Sequence, residues 1–267
     1  MKVEKGFGDL PAENSKYDTS RVVVIPVPYD ETSTWVKGAD KGPQAIIDAS
    51  ANMELYDIET DSEVYKKGIY TDKPVTEKSS LETMTEAVRK RVDGHIKNGK
   101  FTVVLGGEHS ISLGSIKAHA ENHGKISVLQ LDAHSDLRSE YNGSPFNHAC
   151  VMARAKEVCP IVQVGIRSMD VCEKANMDRK NVFFAEELKA GWMDKAVSKL
   201  SGKVYVTIDL DVFDPSIMPS TGTPEPGGLL WHDVLELMRK LIEKKEVVGL
   251  DVVELCPTPH DKAPDFM

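Results

Sequence analysis

The chain has 267 residues, 40% of them hydrophobic and 6% aromatic, which suits a single large domain with one well-filled core spanning 1–267. The formal net charge of −9, with no Lys/Arg-rich run, argues against a nucleic-acid partner and is compatible with a small cationic substrate. No window is long and apolar enough to span a bilayer, and Met1-Lys2-Val3-Glu4-Lys5 lacks the apolar core of a signal peptide, so a soluble, cytoplasmic protein without a membrane partner is expected.

In chain order, the first strand is expected at 21–26, and the polar stretch 57–82 reads as a surface excursion rather than a domain boundary. The longest helix falls at 80–97, where Met84, Ala87, Val88, Val92 and Ile96 recur near a 3.6-residue period. A strand at 101–105 follows, then a helix at 111–122, a strand at 126–131, a helix at 149–157 and strands at 161–164 and 182–184. A helix at 193–200, a strand at 204–208, a helix at 231–244 and a strand at 247–253 complete the series. Most of the strands are rich in Val and Ile without polar alternation, as buried parallel strands are. Their alternation with helices predicts an α/β protein, a three-layer α/β/α sandwich around a mostly parallel sheet. Cys150, Cys159, Cys172 and Cys256 form no C-x-x-C pair and read as reduced thiols, mostly in the core.

Chemistry concentrates at strand ends. Asp132, His134 and Asp136 follow the strand at 126–131 with period two, so they point the same way if the extended conformation continues. Asp209 and Asp211 repeat the arrangement after 204–208. In open α/β sheets the functional crevice lies beyond the carboxyl ends of the strands, so the two clusters should converge there. A lone strand-end aspartate is more often a turn or helix-cap residue, but four that converge repel one another and call for cations. Two divalent ions balance four aspartates, which favours two metals over one. Gly106-Gly107-Glu108-His109-Ser110 turns sharply after the strand at 101–105 and sets His109 beside the same crevice. Two imidazoles and four carboxylates suit Mn²⁺ best, with Fe²⁺, Co²⁺, Ni²⁺ or Zn²⁺ as alternatives. A structural Ca²⁺ or Mg²⁺ site fits less well, because histidine is a poor ligand for hard cations.

With these residues laid out, the chain resembles the ureohydrolases, the arginase and agmatinase family of two-manganese enzymes, and is more similar to agmatinase. The resemblance runs from about Ile25 to the C-terminus. It is carried by Gly106-Gly107-Glu108-His109-Ser110, Asp132-Ala133-His134-Ser135-Asp136-Leu137-Arg138, Asn147-His148-Ala149, Asp209-Leu210-Asp211-Val212-Phe213-Asp214-Pro215, Thr221-Gly222-Thr223-Pro224 and Leu250-Asp251-Val252-Val253-Glu254. It implies metal ligands at His109, Asp132, His134, Asp136, Asp209 and Asp211, a proton-handling histidine at His148, a guanidinium-binding glutamate at Glu254 and a substrate-loop threonine at Thr223. Pro28-Tyr29-Asp30-Glu31-Thr32-Ser33 and the stretch 38–45 resemble the family's N-terminal loop and the helix after it, which help to shape the site entrance.

The implied reaction is attack of activated water on a guanidinium carbon, releasing urea and a primary amine. Where arginases carry an asparagine that recognises arginine, this chain has Arg138, and the neighbouring loop resembles agmatinases, so agmatine giving putrescine is the expected substrate. Guanidinobutyrate, whose carboxylate could pair with Arg138, guanidinopropionate, guanidine, arginine and formiminoglutamate are the alternatives. A metal-binding scaffold without turnover is a different class of reading, although no ligand is missing. A one-zinc deacetylase matches less well, because a full second-metal set is present. By the same resemblance a trimer or hexamer is expected; family members usually continue into a final helix, which this chain, ending at Pro264-Asp265-Phe266-Met267, is expected to lack. A chain lacking that helix should expose apolar surface on one sheet face.

Overall fold

The apolar segments pair side by side into one sheet. The computed structural model describes residues 6–267, and the stretch 1–5, where no signal peptide is expected, lies outside the described residues. In chain order the elements are β1 (Val22–Val27), α1 (Gly42–Ser50), β2 (Ile69–Thr71), α2 (Leu81–Lys97), β3 (Phe101–Gly106), α3 (Ser112–His123), β4 (Ile126–Leu131), α4 (Val151–Ala155), β5 (Ile161–Ile166), β6 (Val182–Phe184), α5 (Trp192–Lys199), β7 (Lys203–Asp209), α6 (Trp231–Lys244), β8 (Glu246–Val253) and α7 (Ala263–Phe266). Short 3₁₀ turns join many of them. The sheet order is β2-β1-β3-β8-β7-β4-β5-β6, and every pairing is parallel.

Alternate residues of each strand feed opposite faces, which makes three layers. Val128 packs with Leu113 and Ile116 of α3 and with Val151 and Met152 of α4. Its neighbour Leu129 packs on the other face with Ala196 and Val197 of α5 and Leu237 and Leu241 of α6. The outer part of the first face is closed by α2, whose Met84, Val88 and Val92 cover Val23, Ile25 and Val104. This helix starts where Ser80 accepts a hydrogen bond from the Thr83 N–H, an N-cap that satisfies one otherwise orphaned donor. On the second face, Val103, Leu105, Ile208 and Val252 floor an apolar trough beside α1 and α6 that α7 covers only in part; Trp231 remains 40% exposed and Phe266 50%. No helix among the described residues is long and apolar enough to cross a membrane.

The expected helix at 149–157 is shorter, because its first turn is 3₁₀ from His148 to Cys150 and the α-helical part covers only Val151–Ala155. The polar excursion at 57–82 contains the edge strand β2, three half-buried residues hydrogen-bonded to β1 alone. Three of the four free cysteines are buried and Cys172 is exposed.

Register places the site. Leu105, Val252, Ile208 and Leu131 lie on one line across β3, β8, β7 and β4. The residues that follow that line at the carboxyl ends are Gly106, Val253, Asp209 and Asp132. The chain therefore leaves four neighbouring strands at one level, in the crevice where open α/β sheets gather their chemistry.

Candidate metal centre

The structure brings all six expected ligand side chains to that level. Gly107 lets the chain turn out of β3 against the Tyr29 backbone; a Cβ there would stand 2.0 Å from the Tyr29 carbonyl oxygen, so only glycine fits. The turn delivers His109, whose Nδ1 lies 3.1 Å from Asp132 Oδ2, 3.1 Å from Asp136 Oδ2 and 3.4 Å from Asp209 Oδ2. His134 faces the other side of the cluster, with Nδ1 2.8 Å from Asp211 Oδ2 and 3.7 Å from Asp132 Oδ1. Ligand atoms therefore fall into two triads, His109-Asp132-Asp136 and Asp132-His134-Asp211, the only such groups among the described residues. Asp132 belongs to both.

The continued extended run expected for 132–136 is not how this is achieved. The β4 ladder ends at Leu131, and His134 keeps only an isolated bridge to Ser168. Asp136 adopts φ +51°, in the left-handed region, and this bend turns its carboxylate back to His109 while His134 points to Asp211. The Asp136 carbonyl accepts the Met152 and Ala153 N–H groups at the start of α4, which pins the bend.

Four of the six, Asp132, Asp209, Asp211 and His109, are oriented from behind. Gln130 Nε2 donates to Asp132 Oδ2 at 2.6 Å, and Gln163 Nε2 donates to Gln130 Oε1 at 2.6 Å. The His134 N–H donates to Asp132 Oδ1 at 2.6 Å, the Ala133 N–H to Asp211 Oδ1 at 2.9 Å and the Asp211 N–H to Asp209 Oδ1 at 2.9 Å. His109 Nε2 lies 2.8 Å from Thr207 Oγ1, and Thr207 in turn donates to Asp251 Oδ1 at 2.6 Å. Gln130, Gln163, Thr207 and Asp251 are polar residues inside otherwise apolar buried strands, a signal that sequence reasoning passed over.

The electrostatics show what this cluster needs. Burial, then the charges of Asp211 and Asp136, push the Asp132 carboxyl up to about 7. Burial, then Asp211 and Asp132, raise Asp209 well above the usual carboxylate range. Burial would raise Asp211 too, but the His134 imidazole outweighs it and holds that carboxyl at about 2. Both imidazoles move the other way from what burial alone would do. The nearby carboxylates of Asp132, Asp136 and Asp209 raise His109, and the charge of Asp211 takes His134 to about 11. Protons fill the place of positive charge among crowded acids. The buried His109 Nδ1 makes no hydrogen bond, although three carboxylate oxygens surround it. An orphaned nitrogen donor amid converging carboxylates fits a pair of divalent ions.

The cluster floors a cavity of about 200 Å³ that Arg138, Tyr141, His148, Asp170, Thr223 and Glu254 help to line. Glu254 follows β8 at φ +68° and accepts the His109 N–H on Oε1 at 2.7 Å. Burial and the neighbouring Glu108 hold its carboxyl well above the ordinary range, as suits a site awaiting a cation. His148 hydrogen-bonds through Nδ1 to Thr32 at 2.8 Å, and burial lowers its pKa. Arg138 sits at the rim, 3.4 Å from Asp170 and stacked 4.6 Å from the Tyr141 ring centroid. Thr223 lies on the exposed side of the mouth, near the exposed Trp35. Trp35, Tyr141 and Asp170 come from loops with no spacing pattern, so the residues alone did not single them out, whereas Thr32 lies in the 28–33 stretch that the resemblance placed at the site entrance.

Comparisons with known proteins agree with this geometry. The Arginase family model matches residues 20–264. An N(1)-aminopropylagmatine ureohydrolase of a Synechocystis species is 37% identical, over 94% of this chain and 87% of its own length. The enzyme of the same name from Thermus thermophilus is 39% identical, over 96% and 88%. The crystal structure of agmatine ureohydrolase of Thermoplasma volcanium superposes with a TM-score of 0.87 at 32% identity, over 98% of this chain and 89% of that one. The chain belongs to the arginase family.

Proposed function

We propose that this protein is an agmatinase-like ureohydrolase that holds two Mn²⁺ ions and cleaves agmatine to putrescine and urea. The observation that carries the reading is the pair of ligand triads sharing Asp132, with a guanidinium-sized carboxylate, Glu254, beside them. Two divalent ions in such a shell supply water activated as a nucleophile at neutral pH, which a charge-delocalised guanidinium carbon requires. His109, Asp132, Asp136 and Asp209 would hold one ion, and Asp132, His134, Asp209 and Asp211 the other. Other divalent transition metals suit the same nitrogen and oxygen donors.

The chain's own groups then divide the work. Glu254 uses one acceptor position on the His109 N–H and keeps the others for parallel N–H bonds from a planar guanidinium, which fixes its orientation. His148, at the cavity wall, handles the proton that the leaving amine needs. Thr223 contributes a hydroxyl at the mouth. Arg138 lies where a substrate carboxylate would have to compete with Asp170, and this favours agmatine over guanidinobutyrate. A second reading, the longer N(1)-aminopropylagmatine, is favoured by the names of the two relatives and by Asp170 at the rim, a carboxylate suited to a further ammonium group. We further propose a role in polyamine formation in the cytoplasm, as a trimer or hexamer.

The test is metal reconstitution followed by product release across agmatine, N(1)-aminopropylagmatine, guanidinobutyrate, guanidinopropionate, guanidine, arginine and formiminoglutamate. Turnover of either agmatine compound is expected. Activity on guanidinobutyrate alone overturns the substrate, and bound metal with no turnover of any compound leaves a metal-binding scaffold.

A further inference from the structure

One buried carboxylate ties the loop after β1 to the site. Glu108 is fully buried next to His109, and its two oxygens collect four donors. Oε1 accepts the Thr32 hydroxyl at 2.6 Å and the Ser110 hydroxyl at 2.6 Å; Oε2 accepts the N–H of Thr32 at 2.5 Å and of Ser33 at 3.1 Å. A hydroxyl has a single proton, and that of Thr32 is directed at Glu108. The same Thr32 oxygen lies 2.8 Å from His148 Nδ1 and 3.4 Å from the His148 N–H. It meets both as an acceptor, so the hydrogen in the Nδ1 contact belongs to the imidazole.

We infer that Thr32, oriented by Glu108, is a positioning residue that holds His148 as its Nδ1–H tautomer and makes Nε2 the nitrogen that exchanges protons with the cavity. Nε2 has no hydrogen-bond partner among the described residues, and the His148 ring lines the cavity wall. Tyr141 stands edge-on to the ring, with centroids 6.0 Å apart. When Nε2 gains a proton the ring becomes an imidazolium without disturbing the bond to Thr32, and when it gives the proton up the same tautomer returns. A loop anchor alone would not need the hydroxyl, because the Thr32 and Ser33 N–H groups already tie the loop to Glu108. The inference rests on the reading of His148 as the proton-handling group of the proposed hydrolysis.

Thr32→Val and Thr32→Ser, each reconstituted with diamagnetic Zn²⁺ and labelled with ¹⁵N-histidine, test it. Wild type and Thr32→Ser should show the Nδ1–H form of His148 by NMR, and Thr32→Val should lose that preference. In Mn²⁺-loaded protein, Thr32→Val should lower kcat for urea release about 10- to 100-fold with KM within about threefold, and Thr32→Ser should recover most of the loss. Adding His148→Ala to Thr32→Val should cost much less than it does in wild type, because the two act on one proton path. If Thr32→Val does not fold, Thr32→Ala carries the same comparison. An Nε2–H tautomer in the wild type, or a Thr32→Val protein with both the Nδ1–H form and wild-type kcat, overturns the inference. Should the wild type turn over no guanidino compound, the proposed reaction fails, while the tautomer spectra still decide this assignment.

Discussion

The Nε2 of His109 and the hydroxyl of Thr207 lie 2.8 Å apart, and the direction of that bond decides whether Nδ1, the nitrogen that faces the acids, offers a lone pair. Thr207 gives its proton to Asp251, which also accepts from Tyr205 at 2.6 Å, so the Thr207 oxygen accepts from His109 Nε2–H and Nδ1 is left for a metal. Thr207→Val keeps the shape and removes the acceptor. It should weaken metal binding about 10- to 100-fold, the usual effect of losing a ligand's supporting partner. Titration of the metal-free protein with Mn²⁺ measures this directly, and an unchanged affinity would show that Thr207 only fills space.

Asp132 serves both triads, so Asp132→Asn should disturb two ions at once. Urea release should fall roughly 10³-fold or more, because each ion's stabilisation of transition-state charge amounts to several kcal/mol. The same variant relieves repulsion with Asp211 and Asp136, the groups that raise the Asp132 carboxyl alongside burial. Without metal this relief is offset by the loss of one acceptor, since both Asp132 oxygens take an N–H, and the variant should unfold within a few degrees of wild type. Saturating Mn²⁺ should add about 3–4 kcal/mol to wild-type stability and much less to the variant. Thermal scans with and without chelator separate these effects, and equal metal stabilisation of both proteins would remove Asp132 from the shell.

Arg138 is held by Asp170 and by the face of Tyr141 at the cavity rim. If the substrate carries no carboxylate, Arg138→Leu should leave agmatine turnover within about fivefold and change KM more than kcat, the pattern of lost uniform binding. A collapse of kcat would mean that Arg138 touches the reacting part of the substrate.

The sheet was legible because buried parallel strands such as Ile126–Leu131 and Ile161–Ile166 are rich in Ile, Val and Leu and lack a regular polar alternation. The short strand Ile69–Thr71 escaped because it lies at the edge, is only half buried and sits within a polar stretch. The metal cluster was legible because its aspartates directly follow strong strands, and sheet register alone brings such residues to one level. The bend at Asp136 was not, since only a left-handed backbone reveals that neighbouring ligands diverge towards two triads. The supports were hidden for a different reason. Glu108 reads as a surface-type residue beside a ligand, and its role depends on Thr32, 76 residues away.

Beyond the site, Asp72 fastens the end of β2 to α2. Its Oδ2 accepts Arg91 Nη1 at 2.8 Å and bonds His95 Nε2 at 2.9 Å, while His95 Nδ1 meets the Tyr17 hydroxyl at 3.0 Å. Burial would raise the Asp72 carboxyl, but the bonds from His95 and Arg91 outweigh it and hold the group at about 2. A carboxyl depressed in the folded state adds stability above its unfolded pKa, and that stability disappears as pH falls from about 4 to about 2. Partial solvent screening reduces the contribution to about 1 kcal/mol. Asp72→Asn should therefore be less stable than wild type by about that amount at pH 6, with the gap closing towards pH 2.5. Urea unfolding of both proteins, metal-free, at the two pH values measures the difference while the metal site cancels between them. A gap that stays constant between pH 6 and 2.5 would mean that Asp72 acts through packing and not through its charge.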